Sequence, residues 1–197
     1  MLGKTHLAVG IAAALTVIQP DSAAECFAAI MGGAVGGVLP DVDTMRTDGK
    51  LGAPQTQAFA AAVTAGLLLL DSVLDTGLWM GIAARDHQTM IIGGGLFAAL
   101  WVWGYFSDHR SFTHSILAMC LFAGAVNIIY PPLSITFLVG YGSHLLLDLL
   151  NRRPLQMLYP LDSGMCFGLC YSNKIANTLF LYLGSLAALY FIVRTWL

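Results

Sequence analysis

The chain has 197 residues, of which 57% are hydrophobic and only 10% are charged, and its mean hydropathy is +0.74. Soluble domains carry about a quarter charged residues, so this composition excludes an ordinary soluble protein and predicts a surface that faces lipid. The net charge of −2 lacks the basic excess of a nucleic-acid-binding protein, so we expect no nucleic-acid partner.

Uncharged apolar runs predict a polytopic, all-α transmembrane helical bundle of about seven segments, forming a single membrane-embedded domain over residues 1–197. The first two, Thr5–Pro20 and Cys26–Pro40, are shorter than the ~20 residues that cross a bilayer, so they form a short or a re-entrant hairpin. Glu25 breaks the small-residue pattern of a cleavage site, so we expect the first segment to be retained. The other segments are Leu51–Leu70 with an apolar continuation to Ala84, Gln88–Ser107, the two halves of Ser111–Leu147 on either side of Pro131-Pro132, and Ile175–Val193.

The cysteines are scattered, and the spacing of Cys166 and Cys170 is not one that paired zinc ligands usually have. Cys26 and Cys120 lie in apolar stretches, where a free thiol packs as a small hydrophobic side chain. We therefore expect no disulfide framework.

Counting the passes brings the polar motifs to one membrane face. His6 stands at the start of the first segment, and the hairpin returns Asp41 and Asp43 to the same side. Later passes deliver two further motifs to that face: Asp108, His109, Arg110 and His114 before the fifth segment, and His144 with Asp148 at the end of the sixth.

Basic residues are more numerous on this face than on the other. They are Lys4, Arg46, Lys50, Arg110, Arg152, Arg153 and Lys174, against Arg85 and Arg194 on the opposite side. By the positive-inside rule, we expect the polar motifs on the cytoplasmic face of a bacterial-type inner membrane.

Two of the motifs place carboxylates where a cation would stabilise them. His144 and Asp148 are four residues apart on an apolar helix and therefore share a face; an aspartate toward the bilayer centre costs about 2.5–3.5 kcal/mol. Asp41 and Asp43 follow a helix-ending proline, and their like charges repel unless a cation lies between them.

The stretch from Asp108 to Ser115 is the densest polar patch. It holds two histidines at a helix entry, where Thr113 is a suitable N-cap. Free backbone N–H groups at a helix start favour an anion such as phosphate, and the guanidinium of Arg110 offers a forked set of donors for phosphate oxygens.

A lone histidine in a membrane helix is usually a hydrogen-bonded packing residue, but here four of the five histidines lie in three motifs that share one face. We therefore expect bound divalent metal. The nitrogen and oxygen ligands favour zinc, or alternatively manganese or iron, with one to three ions. Sites with two such metals activate water and stabilise the attacking and leaving oxygens, which indicates hydrolysis of a phosphoester.

The motifs in Thr5–His6, Gly37–Asp43, His109–Ser115 and Gly142–Asp148 together resemble the YdjM family of membrane-bound, metal-dependent hydrolases. The family is distantly similar to zinc-dependent phospholipase C and to nucleases of the P1 type, which implies hydrolysis of a lipid phosphoester. The resemblance also implies a set of metal ligands: His6, Asp41, Asp43, His109, His114, His144 and Asp148.

Our first hypothesis is a metal-dependent hydrolase that acts on a phospholipid or a lipid-linked phosphate. Arg110 would orient the phosphate, Asp43 or Asp108 would act as general base, and Arg152 with Arg153 would attract anionic headgroups. The alternatives are a transporter for a metal ion or proton, because intramembrane histidine and aspartate also mark ion pathways, and a non-catalytic membrane scaffold with a structural metal. The sequence predicts no particular oligomeric state.

Overall fold

The computed structural model describes residues 1–45, 53–171 and 175–197, and within these ranges the chain is helical, without a β-strand. This confirms the predicted all-α bundle. The α-helices are α1 (Gly3–Ile18), α2 (Ala23–Val38), α3 (Ala53–Leu74), α4 (Leu78–Ala83), α5 (His87–Phe106), α6 (Ile116–Ile129), α7 (Pro131–Leu149) and α8 (Ile175–Trp196). Two 3-10 turns, Leu39–Thr44 and Phe112–His114, complete the described elements.

Among the described residues, five stretches are long and apolar enough to cross a membrane: α3, α5, α7, α8, and α2 together with the 3-10 turn that follows it. Helices α1 and α6 are shorter, with 16 and 14 residues. The predicted reversal at Pro131 lies between α6 and α7, because proline is tolerated in the first turn of a helix but not in its interior.

The apolar continuation to Ala84 is a separate short helix, α4, rather than the end of the third segment. Gly77 precedes it with a φ of 93°, a backbone conformation that favours glycine. The buried carboxylate of Asp71 accepts hydrogen bonds from the backbone N–H groups of Leu78 and Trp79, at 3.1 and 2.6 Å. These bonds satisfy donors that the start of α4 leaves free.

Helix α2 lies at the centre of the bundle and packs most extensively against α7 and α1. Glycines allow this close approach: a Cβ on Gly33 would lie 2.6 Å from the carbonyl oxygen of Gly10, and a Cβ on Gly140 would lie 2.7 Å from that of Gly33. Small residues serve the same purpose in membrane bundles generally. The two segments predicted as a short hairpin, α1 and α2, are therefore the buried centre of the fold.

Contacts at both ends of the bundle establish how the chain is threaded. The start of α8 meets the start of α1, where the side-chain oxygen of Asn177 accepts hydrogen bonds from the hydroxyl of Thr5 (2.9 Å) and the N–H of Leu2 (3.0 Å). At the other end, the hydroxyl of Thr195 donates to the carbonyl of Pro20 at 3.3 Å. The end with Thr5, called the site end below, carries the predicted polar motifs.

The connection from α7 to α8 folds back over the site end. Leu155 and Met165 form an isolated antiparallel bridge, with N–H···O distances of 2.9 and 2.8 Å. The N–H of Gln156 donates to the carbonyl of Arg110 at 3.0 Å, which ties this connection to the segment before α6. Three of the basic residues predicted for this face, Arg46, Lys50 and Lys174, lie outside the described residues.

Candidate metal centre

The structure brings all seven predicted metal ligands together at the site end. They come from the first turn of α1, the 3-10 turn after α2, the connection and second 3-10 turn between α5 and α6, and the last turns of α7. In the part of the chain that the structure describes, three overlapping groups each have their own ligand atoms within 4.8 Å of one another: His6 with His144 and Asp148, Asp41 with His114 and His144, and Asp43 with His109 and His114.

His114 and His144 face each other through their Nε2 atoms, which lie 3.3 Å apart. The Nδ1 atom of His144 is 2.8 Å from the carbonyl oxygen of Gly37, and that of His114 is 3.1 Å from Asp43 Oδ2. Carbonyl and carboxylate oxygens only accept hydrogen bonds, so each Nδ1 carries a proton, and in its neutral form each ring presents a lone pair at Nε2. Two lone pairs this close repel unless a proton or a metal ion lies between them.

A carboxylate completes this group. Asp41 Oδ1 lies 3.8 Å from His114 Nε2 and 3.7 Å from His144 Nε2. Two imidazole nitrogens and a carboxylate oxygen converging on one point are a ligand set that zinc and related divalent metals accept. The residues present therefore fit a divalent ion.

His6 is completely buried, and neither of its ring nitrogens makes a hydrogen bond of acceptable geometry with any residue that the structure describes. Its Nε2 lies 3.2 Å from Asp148 Oδ1, and its ring stacks on that of His144 with centroids 3.8 Å apart. Buried polar atoms without partners are rare because they lose their hydration without replacement. The unpartnered imidazole is a second observation that fits a metal at this centre.

The carboxylates around His114 favour positive charge on that side chain. Burial opposes protonation of His114. The charge and hydrogen bond of Asp43 favour it, as do the charges of Asp148 and Asp41, and together these effects outweigh burial and raise the pKa of His114. The three aspartates therefore provide negative charge on both sides of the His114 ring.

Two cavities open beside the cluster. The inner one, of about 410 Å³, reaches the carboxylates of Asp41 and Asp148. The outer one, of about 810 Å³, extends toward the end of α5. The two share His109, Arg110 and Arg153 in their walls, while Arg152 lines only the inner one.

The three residues predicted for catalysis differ in their burial and in their distance from the ligand groups. Arg110 donates to Asp148 Oδ2 at 2.9 Å and to the carbonyl of Arg153 at 2.5 Å, and its Nε is buried without a partner. Asp43 is 1% exposed and accepts hydrogen bonds at both oxygens. Asp108 is exposed and lines the outer cavity, outside the three ligand groups. Its role as general base stays a prediction.

Several contributors to the site were not predicted from the sequence. The ammonium group of Met1 lies 2.5 Å from Asp148 Oδ1, and the side-chain amide of Asn151 donates to the same oxygen at 3.2 Å. The hydroxyl of Tyr141 donates to the carbonyl of Thr113. Asn151 is three residues after Asp148, a local spacing that could have indicated this contact; nothing local indicates the others.

The fold and the site define a polytopic helical membrane protein with a buried histidine and carboxylate cluster suited to metal ions. The model of the family described as YdjM inner membrane protein matches residues 1–196, so the chain belongs to the YdjM family, as the motifs predicted. No curated protein and no solved structure matches the chain.

Proposed function

We propose that this protein is a membrane-bound, metal-dependent hydrolase that cleaves a phosphoester of a phospholipid or of a lipid-linked phosphate. The observation that carries the proposal is the convergence of His114 Nε2, His144 Nε2 and Asp41 Oδ1, with pairwise distances of 3.3 to 3.8 Å, beside a cavity lined by arginines. A metal ion between these atoms would satisfy both nitrogens and the carboxylate together.

Asp41, His114 and His144 would hold one ion. His6 and Asp148 are the candidates for a further ion, because His6 has no hydrogen-bond partner and lies against Asp148. Zinc suits this ligand set best, with manganese or iron as alternatives. When bound, such an ion supplies Lewis-acid polarisation of the phosphoryl oxygen and lowers the pKa of water.

The residues of the chain would bind and orient the substrate. The inner cavity carries Arg110, Arg152 and Arg153 next to Asp41 and Asp148, so a phosphate drawn to the arginines would lie against the ligand carboxylates. Arg110 is held by Asp148 and by a backbone carbonyl, which fixes its guanidinium in the cavity wall and limits the entropy lost when phosphate binds.

In the proposed reaction, the oxygen of water forms a bond to phosphorus and the ester P–O bond breaks. One proton of that water passes to the leaving alcohol oxygen, so the products are an alcohol and a phosphate. The Phe112 and Tyr141 side chains, both fully buried behind the cluster, would exclude bulk water from the other side.

We also propose that the site end faces the cytoplasm. Among the described residues, Lys4, Arg110, Arg152 and Arg153 belong to this end, and Arg85 and Arg194 to the other. The positive-inside rule supports this orientation. Labelling of single cysteines introduced at Arg153 and at Arg194 in inverted membrane vesicles would test it.

The function is tested by measuring bound metal and lipid phosphate release on the same purified samples. We expect wild type to contain zinc and to release phosphate, and His144→Ala and Asp41→Asn to lose metal and activity together. His87→Ala is the matched control, because His87 is exposed at the start of α5, at the other end of the bundle. Metal content that is unchanged in both variants would refute the ligand assignment. Normal metal content in wild type without hydrolysis of any lipid would favour transport or a scaffold.

A further inference from the structure

The carboxylates of Asp41 and Asp43 differ sharply in their surroundings, although one residue separates them. Asp41 Oδ1 faces the two Nε2 atoms of the candidate centre, and its side chain is 16% exposed toward the inner cavity. Asp43 points the other way, into a fully buried pocket between the 3-10 turn after α2 and the segment from His109 to His114. The two carboxylates therefore do not share one ion.

Both oxygens of Asp43 are already occupied by hydrogen-bond donors. Oδ1 lies 3.0 Å from His109 Nδ1. Oδ2 accepts from the hydroxyl of Thr113 at 2.8 Å and from the backbone N–H of Arg110 at 3.1 Å, and it lies 3.1 Å from His114 Nδ1. Oδ1 thus has one of these partners and Oδ2 has three, and the Thr113 hydroxyl also lies 3.1 Å from His114 Nδ1, so the carboxylate of Asp43 and Thr113 together surround the Nδ1 side of that ring.

Resting on the metal centre proposed above, we propose that Asp43 is not a metal ligand but a positioning residue. It keeps the proton of His114 on Nδ1 and aims Nε2 at Asp41 and His144. Ligating histidines commonly donate their second N–H to a carboxylate in this way, which fixes the ring and raises its basicity. The third ligand group, Asp43 with His109 and His114, is then a hydrogen-bonded support for the other two.

The chemistry of His114 supports this assignment. The atom of His114 next to Asp43 is Nδ1, whereas the atom next to Asp41 and His144 is Nε2. A neutral imidazole has one nitrogen lone pair that can bind an ion, so ions at both Nδ1 and Nε2 would require an imidazolate anion, with neither nitrogen protonated. One ion at Nε2 and one hydrogen bond at Nδ1 require no such ring.

The same carboxylate also shapes the loop before α6. Arg110 has a φ of 68°, which is rare for a residue with a side chain, and its N–H donates to Asp43 Oδ2. Asp43 thereby supports the conformation that directs the Arg110 guanidinium toward Asp148. Through His114 and Arg110, one buried carboxylate sets both a ligand and a phosphate-binding side chain.

The test compares Asp43→Asn with Asp41→Asn by metal titration and by the visible absorption of bound cobalt(II). We expect Asp43→Asn to bind the same number of ions as wild type with an unchanged cobalt spectrum, but about 10 to 100 times more weakly, as for other residues that support a ligand. Asp41→Asn should lose an ion or change the spectrum.

The outcomes separate this inference from the function on which it rests. If wild type binds no metal, the proposed function fails, and the inference fails with it. If wild type binds metal but Asp43→Asn loses an ion, changes the cobalt spectrum or keeps wild-type affinity, the inference alone is overturned. If Asp43→Asn does not fold, the test is the nitrogen-15 NMR spectrum of the histidines in zinc-loaded wild type, in which His114→Gln assigns the signal of His114. A protonated Nδ1 on His114 supports the inference. An unprotonated Nδ1 overturns it.

Discussion

His6 and His144 stack face to face, with ring centroids 3.8 Å apart and planes 20° apart, and they stand on two helices, α1 and α7, that pack against each other and against α2. Gly37 allows this close contact. A Cβ at Gly37 would lie 2.7 Å from the carbonyl oxygen of His6, while the Gly37 carbonyl accepts the hydrogen bond of His144. One residue without a side chain therefore sets the spacing of two candidate ligands.

We predict that Gly37→Ala weakens zinc binding at least tenfold. The added methyl group would push α1 away from α2 and move His6 from His144, because backbone rather than a flexible side chain stands in its way. Competition with a chelating dye would measure the affinity. Gly94→Ala is the control: a Cβ there meets nothing within 4 Å, so zinc affinity should stay at the wild-type value. Equal affinities in the two variants would contradict the prediction.

His6→Phe should separate metal binding from stability. Among the described residues, neither buried ring nitrogen of His6 makes a hydrogen bond of acceptable geometry, although Nε2 lies 3.2 Å from Asp148 Oδ1, and buried groups without a hydrogen bond cost about 1–3 kcal/mol each. A phenyl ring keeps the stacking on His144, so we expect the metal-free variant to melt at the same temperature as wild type or above it. The rise in Tm on adding zinc should be smaller than in wild type. An undiminished rise would remove His6 from the set of ligands.

Tyr141→Phe should destabilise the protein by about 1–3 kcal/mol, because it leaves the buried carbonyl of Thr113 without its donor. The side chain of Tyr141 is completely buried, so water cannot replace the lost hydroxyl. Denaturant unfolding in detergent would measure the difference. Tyr190→Phe is the matched control, since Tyr190 is 62% exposed on α8; a loss of similar size there would point to a general effect of removing tyrosine.

Replacing Arg152 and Arg153 together by Gln should reduce the preference for anionic lipid. Each basic residue near an anionic surface contributes about 1 kcal/mol, so the ratio of phosphate release from phosphatidylglycerol over phosphatidylcholine vesicles should fall up to about thirtyfold. Arg194→Gln, an exposed arginine at the other end of α8, is the control. The prediction fails if the double variant keeps the wild-type ratio.

Much of the fold follows from local properties of the chain. Uncharged apolar runs predict seven of the helices, because whether a segment can cross a membrane depends on its own length and composition and not on its tertiary contacts. The short helix α4 was not predicted, since it depends on the buried carboxylate of Asp71 and the backbone conformation of Gly77. Hydropathy alone does not distinguish such a turn from a continuing helix.

The meeting of the candidate ligands at one end of the bundle could be predicted for a similar reason. Alternating passes return every second loop to the same membrane face, so chain order predicts that His6, Asp41 and His144 meet. The different surroundings of Asp41 and Asp43 could not be predicted, because the two residues are equivalent by their spacing in the sequence. Their difference arises from which donors pack around each carboxylate.

The sequence by itself determined the class of membrane protein, the family and the residues that gather at one end of the bundle, because these depend on composition, motif and the order of passes. Only the tertiary structure decided which nitrogen of each imidazole faces the centre, which carboxylate remains open to the inner cavity and that Met1 reaches Asp148. These features depend on ångström-scale distances between helices, which the glycine contacts of α2 set and no local pattern encodes.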